Sequence, residues 1–251
     1  MFCMVFPQPT LSRRQLLLAG CAACGPRTVA AAEALRVLVD NAIEMPQALI
    51  LGQEVTEGLQ YQVALELGRR LDRPVVFRPV PRRRLATLLA AGQGDLACNY
   101  LPDWLPGPLQ WSLPFMDSGD ALVTAERTAP PQRLAEVAGR PLGTIAGFRY
   151  PEVEAVLGSG FVRDDAPNLS SSLRKLAAGR IEHIIVGQTT FDYLRKRGDV
   201  AVPTHPPLPL NRTRTSCALS PQSSLALPAL DAVLAAMQSD GTIRRILDRY
   251  R

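Results

Sequence analysis

The fold is decided by residues 74–100, which read PVVFRPVPRRRLATLLAAGQGDLACNY. Val75–Val80 is a short, mostly apolar run of the kind that forms a buried strand, and Asp95–Tyr100 is a second such run. Between them, Arg82–Ala91 has the apolar spacing of a helix that ends at Gly92. A strand, a helix and a strand in this order are typical of a parallel sheet with covering helices, so the stretch predicts an α/β fold.

The same alternation continues on both sides of this stretch. Upstream, Leu35–Asp40 predicts a strand and Gly58–Leu71 a helix, and residues 121–125 predict the strand that leads out of this first block. Residues 84–97 and 172–185 share the order helix, Ala-Ala-Gly, acid and strand, which favours two lobes of similar build. The second block is predicted to contain helices over 132–138, 151–157, 170–178 and 189–196 and strands over 142–146, 161–164 and 181–186.

The end of the chain completes the plan. Residues 203–210 hold four prolines and are typical of a stiff connector. After it, Thr215–Ser220 predicts a strand, and residues 224–250 predict helix that is interrupted near Gly241. Because this tail is too short to fold alone, we expect it to dock on one of the two lobes.

The first 32 residues have the pattern of an export signal. Residues 11–18 read LSRRQLLL and resemble a twin-arginine signal, and Ala30-Ala31-Ala32 supplies the small residues of a cleavage site. The apolar run is about ten residues, whereas a membrane-spanning helix needs about 20. A lipoprotein is the alternative, because the residues before Cys21 resemble a lipobox. The sequence therefore predicts a twin-arginine-type signal peptide over residues 1–32.

The composition of the chain is that of an ordinary globular protein. Hydrophobic residues make up 47% and charged residues 20%, which excludes disorder. The net charge of +5 falls to +2 when the first 32 residues are left out, too little to indicate nucleic acid or an anionic membrane as a partner. Since no later segment approaches 18 uninterrupted apolar residues, we expect a soluble protein of the periplasm.

The cysteines and histidines are few. Cys98 and Cys217 are the only cysteines after the export signal, and His183 and His205 are the only histidines. A zinc site needs clustered nitrogen and sulfur ligands, so we predict no metal, and no other cofactor is indicated. Two cysteines in an oxidising compartment can form a disulfide, and two unlinked buried thiols are the alternative.

In its order of motifs the chain resembles the periplasmic solute-binding proteins of family 3, the polar-amino-acid type. The matching stretches cover nearly all of residues 34–250 and are Leu35–Asn41, 58–71, 85–96, Trp111–Phe115, Ala138–Thr144 and Ser239–Leu247. The resemblance implies a two-lobed periplasmic-binding-protein type II fold, each lobe a mostly parallel sheet covered by helices. It implies that a solute binds between the lobes as they close about a hinge. It assigns lobe 1 to residues 33–122 and 211–251, and lobe 2 with the hinge segments to residues 123–210.

The resemblance also implies where the two cysteines lie. In this fold the chain returns from the second lobe and inserts a strand antiparallel to the third strand of the first lobe. Cys98 lies in that predicted third strand and Cys217 in the returning strand. Directly opposed antiparallel residues are within disulfide range, so a Cys98–Cys217 bridge is expected if the register opposes them.

The chain departs from the amino-acid binders of this family at the positions that set ligand charge. Where those proteins carry an arginine for the ligand's carboxylate, this chain has Trp104 or Leu105. Where they carry an acid for the ammonium group, it has Gly187 and Gln188. Because an unpaired buried charge is costly, an ordinary α-amino acid is a poor default ligand. We expect a small polar solute that is anionic or zwitterionic, and its identity stays open.

Two of the predicted ligand contacts lie in lobe 2. Arg149 follows a strand and precedes a helix, the place where doubly wound sheets bind ligands, and its guanidinium suits a carboxylate or phosphate. A solvated arginine or an interlobe salt bridge is the alternative. Gln188 begins a helix and is predicted to donate a hydrogen bond to the solute, whereas Thr189 or Thr190 is predicted to cap that helix.

The other four predicted contacts lie in lobe 1. Asn41 follows the first strand, and Asn99 and Tyr100 end the third strand at the same carboxyl edge of the sheet. Trp104 in the next loop is predicted to cover the cleft by stacking. Packing is the alternative for these aromatic residues. The run of three arginines from residue 82 to residue 84 is predicted to be a solvated helix start.

These observations predict a binding protein, not an enzyme. We expect a monomer that captures its solute and delivers it to the membrane permease of an ABC transporter. The chain shows no Ser/His/Asp, Cys/His or paired-carboxylate spacing that would supply acid–base catalysis. An exported enzyme is one alternative, because the cyclohexadienyl dehydratases also resemble this family. A signalling protein that presents its ligand-bound form to a receptor is the other, and the fold alone cannot separate the three.

Overall fold

The structure is a computed structural model that describes residues 1–4 and 33–250. The chain divides into two compact units, residues 1–31 and 32–251. Residues 1–4 are exposed and form neither helix nor strand. The predicted signal peptide, with its arginine pair and Cys21, otherwise lies outside the described residues.

The second unit alternates strands and helices along the chain. Its strands are β1 (Leu35–Asp40), β2 (Leu49–Leu51), β3 (Glu54–Glu57), β4 (Val75–Val80), β5 (Leu96–Tyr100), β6 (Gln110–Trp111), β7 (Met116–Ser118), β8 (Asp120–Thr124), β9 (Pro141–Ile145), β10 (Val162–Ala166), β11 (His183–Gly187), β12 (Leu208–Pro209) and β13 (Thr213–Leu219). Its α-helices are α1 (Leu59–Arg70), α2 (Arg82–Ala90), α3 (Pro151–Leu157), α4 (Leu169–Ala177), α5 (Gln188–Arg197), α6 (Leu227–Ser239) and α7 (Thr242–Asp248).

The first sheet has the order β4-β1-β5-β13-β6, and β7 also pairs with β13. Strand β1 is parallel to β4 and β5, whereas the returning strand β13 is antiparallel to β5. Val37 and Val39 of β1 pack on the side of α1, α6 and α7, and Leu38 packs on the side of α2. Because successive strand residues point to opposite faces, a continuous apolar run forms a strand that is buried on both sides.

The second sheet has the order β10-β9-β11-β8-β12. Strands β10, β9 and β11 are parallel, and β8 is antiparallel to β11 and β12. Ile184 packs with α4 on one face, and Ile185 packs with α3 on the other. Each fully buried side chain of this kind stabilises the fold by roughly 1.5–3 kcal/mol. The two sheets and their helices are the two lobes of the α/β architecture that the sequence predicts.

Two neighbouring segments connect the lobes. Ser118 ends β7 in the first sheet and Asp120 begins β8 in the second, with only Gly119 between them. The return passes through Asn211, whose Oδ1 accepts a hydrogen bond from the backbone N–H of Asp120 at 2.9 Å. Leu210 N–H donates to the carbonyl of Asp120 at 2.8 Å. These bonds hold the two crossing segments side by side.

The tail docks on the first lobe. Strand β13 places Cys217 directly opposite Cys98 of β5, and the two form a disulfide. Helices α6 and α7 pack beside α1, and Gly241 separates them in a left-handed conformation at φ 75°. That glycine explains why the predicted helix over 224–250 is two helices.

One predicted helix is wrong. Residues 132–138 form only a 3₁₀ turn at Leu134–Val137, between a proline pair and Gly139. Val137 is the single buried side chain of that turn. A segment without a continuous apolar face gains too little from packing to form a longer helix.

Candidate ligand-binding cleft

A cavity of about 140 Å³ lies between the two lobes. The first lobe lines it with the loop after β1, the end of β5 and Trp104, and the second lobe with the start of β8, the loop after β9 and the start of α5. An apolar cavity of about 150 Å³ holds a benzene molecule. The cleft therefore suits a compact solute.

Arg82 lies in this cleft, so the prediction of a solvated arginine run is wrong for its first member. The residue is 8% exposed, and its guanidinium carbon lies 4.6 Å from the ring centroid of Tyr100 in lobe 1 and 4.9 Å from that of Phe148 in lobe 2. Arg83 and Arg84 are exposed. The sequence itself indicates that Arg82 is buried while its two neighbours are exposed, because Arg82 shares a helix face with the buried Leu85 and Leu89.

Several hydrogen-bond donors in and around the guanidinium of Arg82 have no acceptor in the described part of the chain. Its Nη2 donates to the carbonyl of Trp104 at 3.0 Å, and its Nη1 lies 3.9 Å from the carboxylate of Asp40. A guanidinium has five N–H donors. Within the described part of the chain, the buried Tyr100 hydroxyl and the Trp104 Nε1–H have no hydrogen-bond partner. Burial raises the pKa of Tyr100, so its hydroxyl keeps its proton. Unpaired buried donors are costly, and an acceptor such as a carboxylate would relieve that cost.

Arg149, for which a ligand contact is predicted from sequence, lines the cleft from lobe 2. It lies in the loop between β9 and α3 and is exposed. In the described residues it makes no salt bridge within 4 Å, so the interlobe salt bridge considered from sequence is not formed. It stands at the rim, where its guanidinium can meet an anionic group.

Asp120 is a cleft residue that the sequence analysis missed. It begins β8, and its carboxylate receives a hydrogen bond of 3.5 Å from the side-chain amide of Asn211. Burial raises its pKa from 3.8 to about 6, and the negative charge of Glu152 acts in the same direction. The only signal in the sequence was an acid placed directly before the predicted apolar strand 121–125.

Glu44 connects the lobes directly. Its Oε2 accepts a hydrogen bond from the backbone N–H of Ser170 at 2.8 Å, and its Oε1 accepts from the hydroxyl of the same residue at 2.7 Å. Glu44 lies in the loop after β1, and Ser170 lies in the first turn of α4. A carboxylate at a helix N-terminus is stabilised by the free N–H groups there. This pair holds the two lobes together at the cleft.

Four of the six predicted contacts lie in the cleft lining, namely Arg149, Trp104, Tyr100 and Asn99. The amide of Asn99 is already engaged, because Nδ2 donates to Gln47 and Oδ1 accepts from the Thr215 hydroxyl, both at 2.6 Å. Its left-handed backbone, at φ 71°, turns the chain at the end of β5.

The structure does not bring the other two predicted contacts into the cleft. Asn41 is exposed in a turn beyond the strand end. The side chain of Gln188 folds along its own helix and donates to Asp192 at 2.8 Å. The predicted threonine cap of α5 is also wrong, since Gly187 occupies the cap position and no side chain caps the helix.

Two further classes of feature bear on function. Among residues 1–4 and 33–250, no group of three or more histidine, cysteine, aspartate or glutamate side chains is arranged to hold a metal ion. In the same residues, every helix is too short or too polar to cross a membrane.

Neither a comparison with protein-family profiles nor one with curated protein sequences finds a match to this chain. Solved structures do match. An ancestral arginine-binding protein bound to arginine superimposes with a TM-score of 0.72 at 19% identity, covering 86% of this chain and 97% of that one. An ancestral amino-acid-binding protein described as a precursor of cyclohexadienyl dehydratase gives 0.71 at 15% identity, covering 86% and 95%. A putative L-cystine ABC transporter protein from Listeria monocytogenes gives 0.70 at 14% identity, covering 87% and 95%.

At sequence identities this low, the matches are evidence for the fold only. The matches cover 86–87% of this chain, whose two sheets, paired crossing segments and returning strand β13 agree with the expectation drawn from sequence. The chain has the periplasmic-binding-protein type II fold, and at low sequence identity it resembles the amino-acid-binding proteins of solute-binding protein family 3.

Proposed function

We propose that this protein is an exported solute-binding protein that captures a small anionic or zwitterionic solute between its lobes. The observation that carries the proposal is the buried guanidinium of Arg82, which lines the interlobe cavity beside two unpartnered donors, the Tyr100 hydroxyl and the Trp104 indole N–H. The carboxylate of Asp40 lies 3.9 Å from Nη1, too far for a hydrogen bond, so it balances the charge of the guanidinium and leaves donors free. A carboxylate in the cleft would accept hydrogen bonds from these donors.

The lobes contribute complementary parts of the site. Arg82, Tyr100 and Trp104 come from lobe 1, and Arg149 reaches the same cavity from lobe 2. A solute that touches both sets of groups is bound better by the closed arrangement than by an open one, and so favours closure. The apolar side chains in the lining, such as Ile145 and Ile185, exclude water and strengthen the charge interactions within.

The test compares two arginines of the same helix. Arg82→Gln removes the buried guanidinium, whereas Arg84→Gln removes an exposed one and is the matched control. Wild type and both variants are screened by thermal shift against amino acids, organic acids, polyamines and sugars, and hits are measured by calorimetry. A carboxylate-bearing hit should lose about 2–5 kcal/mol of binding free energy in Arg82→Gln and keep its affinity in Arg84→Gln. Equal affinity in all three proteins would contradict the role of Arg82.

Export and delivery complete the proposal. We propose that residues 1–32 direct twin-arginine export, that the mature protein works as a monomer in the periplasm, and that it passes its solute to the permease of an ABC transporter. The Cys98–Cys217 disulfide fits an oxidising compartment. Replacing Arg13 and Arg14 by lysine should leave the precursor in the cytoplasm. Unchanged export of that variant would contradict the twin-arginine route, and lipid labelling of Cys21 would indicate a lipoprotein.

An enzyme on this fold remains the second candidate, because the chain resembles in structure a dehydratase precursor. Recovery of a bound compound distinguishes the two. A binding protein returns the compound unchanged after prolonged incubation, whereas an enzyme converts it, as mass spectrometry of the released compound would detect.

A further inference from the structure

The guanidinium of Arg82 joins the two lobes through aromatic rings. Its central carbon lies over the ring of Tyr100 in lobe 1, 4.6 Å from the centroid, and over the ring of Phe148 in lobe 2, 4.9 Å from the centroid. A cation is attracted to an aromatic face, and the attraction is stronger where water is excluded. Because Arg82 is buried, its contact with Phe148 favours the arrangement in which the lobes are closed on each other.

The backbone of lobe 2 also approaches the start of α2 closely. Gly147 has a φ of 83°, and a Cβ at this position would lie 3.3 Å from Cγ of Arg82 and 3.4 Å from Cγ of Arg83. Glycine fits here because it adopts a positive φ without strain and leaves room for these side chains of the other lobe. The loop after β9 is therefore packed against the first turn of α2.

Charged hydrogen bonds join the lobes at a second place. Glu44, in the loop after β1, accepts hydrogen bonds from the backbone N–H and the hydroxyl of Ser170, in the first turn of α4, at 2.8 and 2.7 Å. Hydrogen bonds to an ionised acceptor are about twice as strong as those between neutral groups. Both partners belong to the protein, so this contact, like that of Arg82, needs no solute.

Aromatic side chains join the lobes at a further place. The ring centroid of Tyr193, on α5 of lobe 2, lies 6.2 Å from that of Tyr250, which follows α7 in lobe 1. The buried Tyr250 is held by its hydroxyl, which accepts a hydrogen bond from the backbone N–H of Gly58 at 3.2 Å. Tyr193 also packs against the apolar core of lobe 1. Aromatic pairs at such distances attract each other beyond the effect of the area that they bury.

We propose that these contacts hold the two lobes closed whether or not a solute is bound. They come from separate parts of each lobe, namely α2 with the loop after β9, the loop after β1 with α4, and the residues after α7 with α5. Opening of the lobes about the crossing segments breaks them together. The inference goes beyond the proposed function, since it concerns the lobes themselves and holds for any solute.

Closure of this kind has a consequence for solute binding. Where the binding-competent arrangement is already populated, the solute does not have to supply the free energy of closure, and the apparent affinity approaches the intrinsic one. The solute enters during brief openings of the lobes. A partner that distinguishes the loaded protein from the empty one then has to sense something other than closure.

The experiment needs no solute. The mature protein is unfolded in urea, dialysed and refolded to remove any compound carried through purification, and mass spectrometry confirms the removal. Small-angle X-ray scattering is then fitted as a mixture of the closed structure and a form opened about Gly119 and Leu210, which gives the closed fraction. Wild type is compared with Glu44→Ala, Phe148→Leu and the double variant.

Two controls match these substitutions. Glu54→Ala removes an exposed acid of lobe 1. Phe161→Leu shortens a partly buried phenylalanine of lobe 2 whose ring contacts Tyr150 of the same lobe. Circular dichroism establishes that each variant is folded.

We expect about 90–99% of wild-type molecules to be closed. Each single substitution should lower the ratio of closed to open molecules about tenfold, because it removes a charged hydrogen bond or a desolvated contact between a cation and a ring. The double variant should lower that ratio about 100-fold, so that about half or more of its molecules are open. Both controls should match wild type.

Two results would overturn the inference. If most wild-type molecules are open, the protein's own contacts do not hold the lobes closed, and the proposed function survives because a solute can still close them. If the folded double variant is closed to the same extent as wild type, these contacts are not what holds the lobes. Should the double variant fail to fold, the two single variants decide this second point, and the wild-type measurement needs no variant.

Discussion

The disulfide between Cys98 and Cys217 should contribute several kcal/mol to the stability of the protein. It joins residues 119 positions apart, in strands that are buried on both sides. In the chain-entropy account, closing a loop of about 100 residues is worth about 4.7 kcal/mol, because the link restricts the unfolded chain. We expect Cys98→Ala/Cys217→Ala to lower the free energy of unfolding by about 4–5 kcal/mol and the melting temperature by roughly 10–20 °C.

The assay is urea unfolding followed by circular dichroism, with each single variant beside the double variant. Either single substitution breaks the same bridge. Each should therefore cost nearly as much as the double, and the two costs should not add. Wild type unfolded in the presence of a reductant should approach the double variant.

Additive costs of about 1–2 kcal/mol per cysteine would refute this reasoning. That pattern is expected when two unlinked thiols merely fill space in the core. Non-reducing mass spectrometry gives an independent check, since two alkylated cysteines per mature chain would mean that no bridge exists.

The remaining predictions concern the contact between the lobes at Glu44, the carboxylate of Asp120 and one turn. Glu44→Gln should weaken the contact with Ser170 and increase the radius of gyration of the solute-free protein in small-angle scattering, whereas the exposed control Glu54→Gln should not. The pKa of Asp120 in the folded state is raised to about 6, so its contribution to stability is full below about pH 4 and is lost as pH rises through 6. On acidification from pH 7.5 to 4, the free energy of unfolding of wild type should therefore rise by up to about 3 kcal/mol relative to Asp120→Asn, as measured by urea unfolding. Gly58→Ala should destabilise by more than about 3 kcal/mol in the same assay, because φ is 115° and a Cβ would lie 2.5 Å from the backbone of Ala48. At the control position Gly52, where no atom lies within 4 Å of such a Cβ, alanine should cost about 1 kcal/mol.

Part of the candidate site could be predicted from the sequence. Tyr100 ends a recognisable strand, Trp104 lies in the loop after it, and Arg149 follows another strand, so their position at the carboxyl edge could be predicted. Arg82 was also within reach, because its spacing to Leu85 and Leu89 places it on the buried face of α2. The arginine run concealed this spacing, since a cluster of like charges normally faces solvent.

By itself, the sequence determined the alternation of strands and helices, the two-lobed α/β plan and the strands that carry the two cysteines. These features follow from the spacing of apolar residues along a strand or a helix, which is a property of neighbouring positions. Only the tertiary structure decided that Glu44 meets Ser170, 126 positions away, and that the half-buried Asp120 lines the cleft beside Asn211. The charge state and partners of a buried group depend on the segments that fold around it, and those segments are distant in the chain.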